Sequence, residues 1–254
     1  MLRVQVEICI NCTTVTAVQQ QVAAACRGGA DTVELCSQME LDGLTPKREH
    51  IVAARVAFGD RPGLMVMIRP RAGDFCYTSE EVTEMRRQIE TAAAAGANGV
   101  VFGLLSGQAL AVAEMRQLTQ WSHSLGLIVT CHRTFDAVAN QAEALEQLIE
   151  IGVDRVLTSG TPWGSSLPAT AGVAQLAEIM RQANNRLEIS IGGGLDPHNA
   201  PALLAQLPLT AGRLAVHSYS GVLDGEGVSE KKVSRLVQTA RRVDDQERRE
   251  NDPV

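Results

Sequence analysis

Short apolar runs rich in β-forming residues alternate eight times with longer stretches of helical spacing along this chain of 254 residues. The predicted strands are residues 4–10, 32–35, 64–68, 99–102, 127–131, 155–157, 187–191 and 213–216. The predicted helices are roughly residues 14–28, 47–58, 79–95, 111–125, 140–151, 170–183, 199–206 and 229–243. One strand with its helix takes about 32 residues, close to what a βαβ unit requires. The alternation therefore predicts an α/β protein with a parallel sheet.

Related turns precede the even-numbered strands: Gly29-Ala30-Asp31, Gly96-Ala97-Asn98, Gly152-Val153-Asp154 and Ala211-Gly212-Arg213. Glycine tolerates the left-handed backbone at a helix end, and Asp or Asn leads into the strand in the first three. This weak (βα)₂ repeat, without a composition shift or long linker, favours one closed (β/α)₈ TIM barrel. An open doubly wound sheet is the alternative. We place the domain at residues 1–245 and expect residues 246–254 to form a charged, disordered tail.

Three local signals predict where helices begin. Thr45-Pro46 offers an N-cap followed by proline at the first helical position, and Asp196-Pro197 repeats that pattern. Thr78 and Glu81 have the spacing of a capping box.

Composition excludes several classes of partner. A pI near 5.4 with 3% aromatic residues argues against nucleic-acid binding, which needs a basic surface and stacking rings. Residues 91–113 carry no charge, but glycines and polar residues interrupt them, so no membrane span is expected. The N-terminus lacks the apolar region of a signal peptide, and six cysteines without one indicate reduced thiols in the cytoplasm.

Chemistry in a barrel of this kind sits where strands end and lead into helices. Because side chains alternate along a strand, the residues predicted to converge on one mouth are Glu7, Cys9, Glu34, Cys36, Arg69 and Arg71. A buried glutamate near Arg69 has a plain alternative as a structural ion pair.

Cys9 and Cys36 end neighbouring strands, so their sulfurs could reach one soft metal ion. Thiolates select Cu(I) and Zn(II). Cys9 and Cys12 also have chelating spacing, but one such pair is a weak signal. Cys26 and Cys131 are expected to pack as small apolar residues.

A histidine with neighbouring charges follows the fifth strand. His132 beside Arg133 and Asp136 is a plausible general acid/base with an orienting partner. Asp74 could orient Arg69 or Arg71 for bidentate binding of a carboxylate or phosphate. The alternative is a loop held together by an Arg–Asp pair.

Small and hydroxyl residues follow the last three strands. They are Ser159, Gly160, Gly192, Gly193, Gly194 and Ser218. Loops after strands seven and eight are the usual phosphate position in these barrels, helped by helix N-termini. We expect an anion-binding site here, with tight turns alone as the alternative.

Taken in order, six motifs make the chain resemble the CutC family of copper homeostasis proteins: Val33-Glu-Leu-Cys36, Gly43-Leu-Thr-Pro46, Ile68-Arg-Pro-Arg-Ala-Gly-Asp-Phe-Cys-Tyr77, His132-Arg-Thr-Phe-Asp136, Arg155-Val-Leu-Thr-Ser-Gly160 and Gly192-Gly-Gly194. The resemblance covers about residues 4–220. It implies a cytoplasmic TIM barrel associated with copper tolerance, with Cu(I) bound at the positions of Cys9 and Cys36. Ala72 and Thr134 depart from the family pattern, and residues 222–228 form a shorter segment than is common there.

Two main hypotheses follow. The first is a copper homeostasis protein with Cu(I) as its ligand. The second is a TIM-barrel enzyme of lyase, isomerase or hydrolase type acting on a small anionic or phosphorylated metabolite. Schiff-base chemistry is disfavoured, because all three lysines lie on or beside predicted helices. A purely structural or partner-binding barrel ranks third. A homodimer stays open, since nothing in the sequence locates an interface.

Overall fold

A computed structural model describes residues 4–209 and 213–251 of the chain, with side chains described up to residue 242. Its parallel strands are β1 Gln5–Asn11, β2 Thr32–Cys36, β3 Leu64–Met67, β4 Gly99–Phe102, β5 Ile128–Cys131, β6 Arg155–Thr158, β7 Glu188–Ile191 and β8 Leu214–Ser218. Each strand pairs with the next, and β1 pairs with β8, so the sheet closes on itself. The predicted closed barrel is confirmed, and the open sheet is wrong.

One helix follows each strand. The helices are α1 Val15–Arg27, α2 Arg48–Phe58, α3 Ser79–Ala94, α4 Val112–Ser124, α5 Gln141–Ile151, α6 Val173–Ala183, α7 Ala200–Leu204 and α8 Glu230–Asn251. Helix α8 includes residues 246–251, which we expected in a disordered tail. The rest of that tail, residues 252–254, lies outside the described residues.

Local signals for helix starts were right once and wrong twice. Thr78 and Glu81 form the expected capping box at α3. Helix α2 begins two residues after Pro46, and Thr45 instead accepts a hydrogen bond from the backbone N–H of Arg69 at 2.8 Å. Asp196 accepts backbone N–H groups in a turn ahead of α7.

Glycines end three helices as predicted. Gly29, Gly96 and Gly152 have φ of 91°, 92° and 91°, a region that residues with a Cβ rarely adopt. The fourth turn of the repeat, at residues 211–212, lies outside the described residues.

Alternation along the strands separates two apolar layers. Val6, Ile8 and Ile10 pack in the large layer between strands and helices. Cys9 and Cys36 belong instead to a small cluster inside the barrel, whose buried members are Cys9, Cys36, Met65, Met67 and Val101. Cys131 is buried in the outer layer, where it packs as a small apolar residue, as expected. The inward direction predicted for β1 and β2 is therefore confirmed.

The uncharged stretch at residues 91–113 contains the end of α3, strand β4, a short hairpin of Leu105–Ser106 with Ala109–Leu110, and the start of α4. No helix in the described part of the chain is both long and apolar enough to cross a membrane. The short segment after β8 forms a second hairpin, Leu223–Asp224 with Gly227–Val228.

Candidate functional site

Three ligand-type side chains meet inside the mouth of the barrel. A sulfur of Cys9, a sulfur of Cys36 and a carboxylate oxygen of Glu34 lie within 4.8 Å of one another, and all three residues are buried. The register explains this: Cys9 pairs with Glu34, and Asn11 pairs with Cys36. Neighbouring inward positions on two strands thus form one cluster, as the sequence predicted.

A third sulfur lies at the same place. The Cys9 thiol is 3.9 Å from the Sδ atom of Met39, which begins a single 3-10 turn just after β2. Cys12, by contrast, donates to the carbonyl oxygen of Ile10. Sequence reasoning missed Met39, although its position three residues after Cys36 on a strand-end loop was an available signal.

The two thiols have opposite pKa shifts. Hydrogen bonding with Cys36 lowers the pKa of Cys9, whereas the same bond, together with burial, raises the pKa of Cys36 well above its usual range. Cys36 also lies 3.1 Å from Oε1 of Glu34. One sulfur of the pair is therefore predisposed to be a thiolate, the form that binds metals.

His217 connects this cluster to Glu7. Its Nδ1 is 2.9 Å from Oε1 of Glu7 and 3.5 Å from Oε2 of Glu34. Burial lowers the pKa of His217, but hydrogen bonds with Cys9 and Glu7 and the nearby carboxylate charges outweigh it, so the pKa is raised well above the ordinary value. Burial also raises the pKa of Glu34.

Glu7 lies in a buried chain of charges across the barrel. Arg155 donates to Glu7 at 2.7 Å and to Glu188 at 2.6 Å. Burial raises the pKa of Glu7, but Arg155 and His217 outweigh it and hold the pKa well below the ordinary value. Glu7 does form the structural ion pair that we weighed, but its partner is Arg155 and not Arg69.

Of the two predicted arginines, one lines the cavity and the other does not. Arg69 lines it and donates to the carbonyl oxygens of Leu41, Gly43 and Gly73. Arg71 lies at the surface, where it pairs with Asp74 at 3.0 Å and with Glu81. The convergence of both guanidiniums on the mouth was therefore wrong, because ion pairs with Asp74 and Glu81 hold Arg71 outside the cavity. Asp74 orients Arg71 in a loop, as its alternative proposed.

Asp136 does not orient His132. It accepts hydrogen bonds from Nε of Arg133 at 2.8 Å and from the hydroxyl of Thr158. Nδ1 of His132 instead accepts the N–H of Thr134 at 3.1 Å. Burial and the charge of Arg69 lower the pKa of His132 to about 3. The predicted acid/base pair is therefore wrong in its geometry, while His132 and Arg133 both line the cavity.

Of the residues expected to bind an anion, some line the cavity and others do not. Gly192, Gly193 and Gly194 line the cavity. Ser218 donates to the carbonyl oxygen of Leu195 at 2.6 Å. Ser159 and Gly160 hold their own loop: the Ser159 hydroxyl bonds Asp136, and Gly160 packs against the backbone of α6's first turn.

The cavity at the mouth has a volume of about 290 Å³. Phe75 and Trp163 form an aromatic wall, with ring centroids 5.2 Å apart. The sulfur and carboxylate residues lie in the same cavity, and its remaining lining residues are Met39, Asp42, Met67, Arg69, His132, Arg133, Leu157, Gly192, Gly193, Gly194, His217, Tyr219 and Ser220.

A closed (β/α)₈ barrel with a buried sulfur and carboxylate cluster at the carboxyl ends of its strands defines a class of TIM barrels with a candidate metal or catalytic centre. The family model described as the CutC family matches residues 4–222. The chain belongs to that family, and the resemblance drawn from its motifs is confirmed.

Curated relatives agree. A family protein CutC of Vibrio vulnificus (strain CMCP6) is 39% identical over 215 residues, or 84% of this chain and 79% of the relative. One of Caulobacter vibrioides (strain NA1000 / CB15N) is 38% identical over 224 residues, or 88% and 84%.

Solved structures share the fold. CutC from Streptococcus agalactiae, named there as a candidate copper homeostasis protein, has a TM-score of 0.72 and 26% identity, covering 85% of this chain and 99% of that one. An aldolase called QR15 has a TM-score of 0.62 with 12% identity, covers 96% of each chain, and shows the fold alone.

Proposed function

We propose that this protein binds Cu(I) through Cys9 and Cys36 and acts in copper homeostasis and copper tolerance in the cytoplasm. The observation that carries the proposal is the pair of buried thiols within 4.8 Å of each other and of Glu34. The name of the Streptococcus agalactiae relative, a candidate copper homeostasis protein, supports the copper assignment.

The chemistry of the donor set favours a soft ion. Two thiols and the thioether of Met39 lie in one cluster, and soft sulfur ligands select Cu(I). A hard ion such as Mg²⁺ prefers oxygen ligands and retains several waters, whereas both thiols are buried, each with 1% exposure. The cluster therefore suits a dehydrated, low-coordinate metal ion.

The position of the cluster suits reversible binding of copper as cargo. Cys9 and Cys36 line the cavity at the barrel mouth. Binding requires both sulfurs to be deprotonated, and the lowered pKa of Cys9 favours its thiolate form. His217 places a positive charge beside that sulfur and compensates it before the metal arrives.

Anaerobic titration with Cu(I) in the presence of a competing chelator tests the proposal. We expect tight, stoichiometric binding by the wild type and its loss in the variant Cys9→Ser, Cys36→Ser. Cys76→Ser is the matched control, because Cys76 is exposed and lies outside the cluster. Equal affinity of the double variant and the wild type would sink the proposal.

A further inference from the structure

Copper accounts for only one end of the cavity. The other end, which we name the donor face, is formed by Arg69, His132, Arg133, Gly193 and Gly194. None of these residues belongs to the groups of metal-ligand type found among the described residues. The donor face therefore needs its own explanation.

Arg69 is a buried cation without a counterion. Its residue is 2% exposed, its guanidinium contacts three backbone carbonyls, and no described carboxylate forms an ion pair with it. Its Nε atom is buried and has no hydrogen-bond partner among the described residues. Because an uncompensated buried charge is costly, the cavity has an unmet demand for a negative group.

His132 contributes a free donor. Its Nδ1 accepts the N–H of Thr134 and so carries no proton. Since the ring is neutral, its single proton is on Nε2. That atom is buried, and the part of the chain that the structure describes offers it no acceptor. The residue is 4% exposed, and its ring packs against Phe75 with the ring centroids 4.9 Å apart and the planes tilted by 49°, which restrains its orientation.

Arg133 is held in place beside it. Asp136 accepts from its Nε at 2.8 Å, and Ser159 accepts from Nη2 at 2.7 Å. The guanidinium lies 5.3 Å from the Trp163 ring centroid. Its Nη1 makes no hydrogen bond with the described residues and is available to a ligand.

The glycine loop completes the donor face with backbone. Gly193 and Gly194 have φ of 121° and 72°, and a Cβ on Gly193 would lie 2.9 Å from the Cβ of Ser159. Glycine lets this backbone line the cavity. The backbone N–H of Gly192 donates to the carbonyl oxygen of Thr158. The backbone N–H groups of Gly193 and Gly194 have no hydrogen-bond partner among the described residues.

We propose that the donor face binds the oxyanion, a carboxylate or a phosphate, of a small organic molecule whose remaining part packs on Phe75 and Trp163. Every unsatisfied group there is a donor or a positive charge, which is the complement of an oxyanion. A cavity of about 290 Å³ holds a small metabolite. Of the acidic lining residues, Glu34 belongs to the sulfur cluster, and Asp42 is exposed. Binding of an oxyanion at this site does not depend on copper. A small molecule with a carboxylate or phosphate is also the class of substrate that the enzyme hypothesis requires.

Calorimetric titration of the full-length, metal-free protein tests the site. Succinate, citrate, glycerol 3-phosphate and inorganic phosphate are the anionic probes, with succinamide and glycerol as neutral counterparts. We expect at least one anion to bind and the neutral counterparts to fail. A carboxylate-only response assigns a carboxylic acid, and a phosphate-only response assigns a phosphate ester; either supports the proposal.

Variants localise the binding. Arg133→Gln should weaken it about tenfold to a hundredfold, because a charge-assisted hydrogen bond is lost. His132→Phe keeps the aromatic packing and removes only the donor, so it serves if Arg133→Gln folds poorly. Arg71→Gln is the matched control, since that arginine lies outside the cavity, and it should bind like the wild type.

Two results would overturn the site: no anion binding more tightly than its neutral counterpart, or unchanged anion affinity in folded Arg133→Gln and His132→Phe. Copper titration of the same samples keeps the two proposals apart. Anion binding without copper binding would refute only the copper proposal, and copper binding without anion binding would refute only the oxyanion site.

Discussion

The thioether of Met39 lies 3.9 Å from the Cys9 sulfur and gives the cluster a neutral, soft third donor. Leucine has a similar size and no sulfur. We expect Met39→Leu to weaken Cu(I) binding about tenfold, the lower end of the losses seen when groups supporting a metal site are removed. Chelator competition measures the affinity. Met65→Leu, a neighbouring methionine inside the barrel, is the control, and equal losses in both variants would contradict a role for Met39.

His132 should make stability depend on pH. Its pKa is about 3 in the folded protein and 6.5 ordinarily, so the unfolded chain binds the extra proton between these values. The free energy of unfolding should therefore fall as the pH drops below about 6.5, by up to about 1.4 kcal/mol per pH unit from this residue. This loss is absent above pH 6.5.

Urea denaturation of wild type and His132→Gln at pH 6.5, 5.5 and 4.5 measures that contribution. The carboxylates titrate in both proteins, so the difference between them isolates the histidine. We expect a shallower loss of stability in the variant. Parallel pH dependence of the two proteins would show that His132 is not buried as a neutral ring.

At this scale the sequence was informative for strands and poor for loops. Alternation alone placed Cys9, Cys36 and Glu34 inside the barrel, because a strand has only two faces. Arg71 and Met39 lie past strand ends, where no period fixes the direction of a side chain. Asp136 lies in a 3-10 turn, Arg133–Ala137. This turn places its carboxylate against Arg133 and the backbone N–H of Ser159, and not against His132.

Among the elements, three strands are joined by one buried arginine. Arg155 on β6 contacts Glu7 on β1 and Glu188 on β7. Removing one partner of such a network leaves uncompensated buried charges. We expect Arg155→Met to lower the free energy of unfolding by about 3–5 kcal/mol, measured by chemical denaturation.

Arg186→Gln is the control for that variant. It removes an exposed ion pair with Glu146, and exposed pairs contribute little. We expect a much smaller change in the free energy of unfolding. Similar changes in the two variants would contradict the idea that the Arg155 network stabilises the barrel interior.

The bounds of several helices and strands were predictable because the hydrophobic periodicity and the glycine turn signals indicated the same ends. Gly29, Gly96 and Gly152 ended their helices, and strand β4 has the bounds predicted for it. The contact from Arg155 to Glu7 was not predictable, because it spans 148 positions and exists only when the sheet closes. Thr45 was predicted to cap a helix, but its hydroxyl oxygen instead accepts a hydrogen bond from the backbone N–H of Arg69 in the β3–α3 loop.

For the whole molecule, copper should act as a stabilising ligand. A ligand that binds only the folded state adds about 4 kcal/mol at a free concentration a thousand times its Kd. We expect Cu(I), buffered by a chelator, to raise the Tm of the wild type and of Cys76→Ser in differential scanning calorimetry. No rise is expected for Cys9→Ser, Cys36→Ser. An equal rise in that double variant would place copper elsewhere.

X-ray absorption at the copper K edge of the Cu(I)-loaded protein measures whether the sulfur atoms of Cys9 and Cys36 hold the copper. We predict a first coordination shell dominated by sulfur, with one sulfur scatterer fewer in Met39→Leu and likewise one fewer in Cys36→Ser. A shell of nitrogen and oxygen alone, unchanged in Cys9→Ser, Cys36→Ser, would show that these sulfur atoms do not hold the copper.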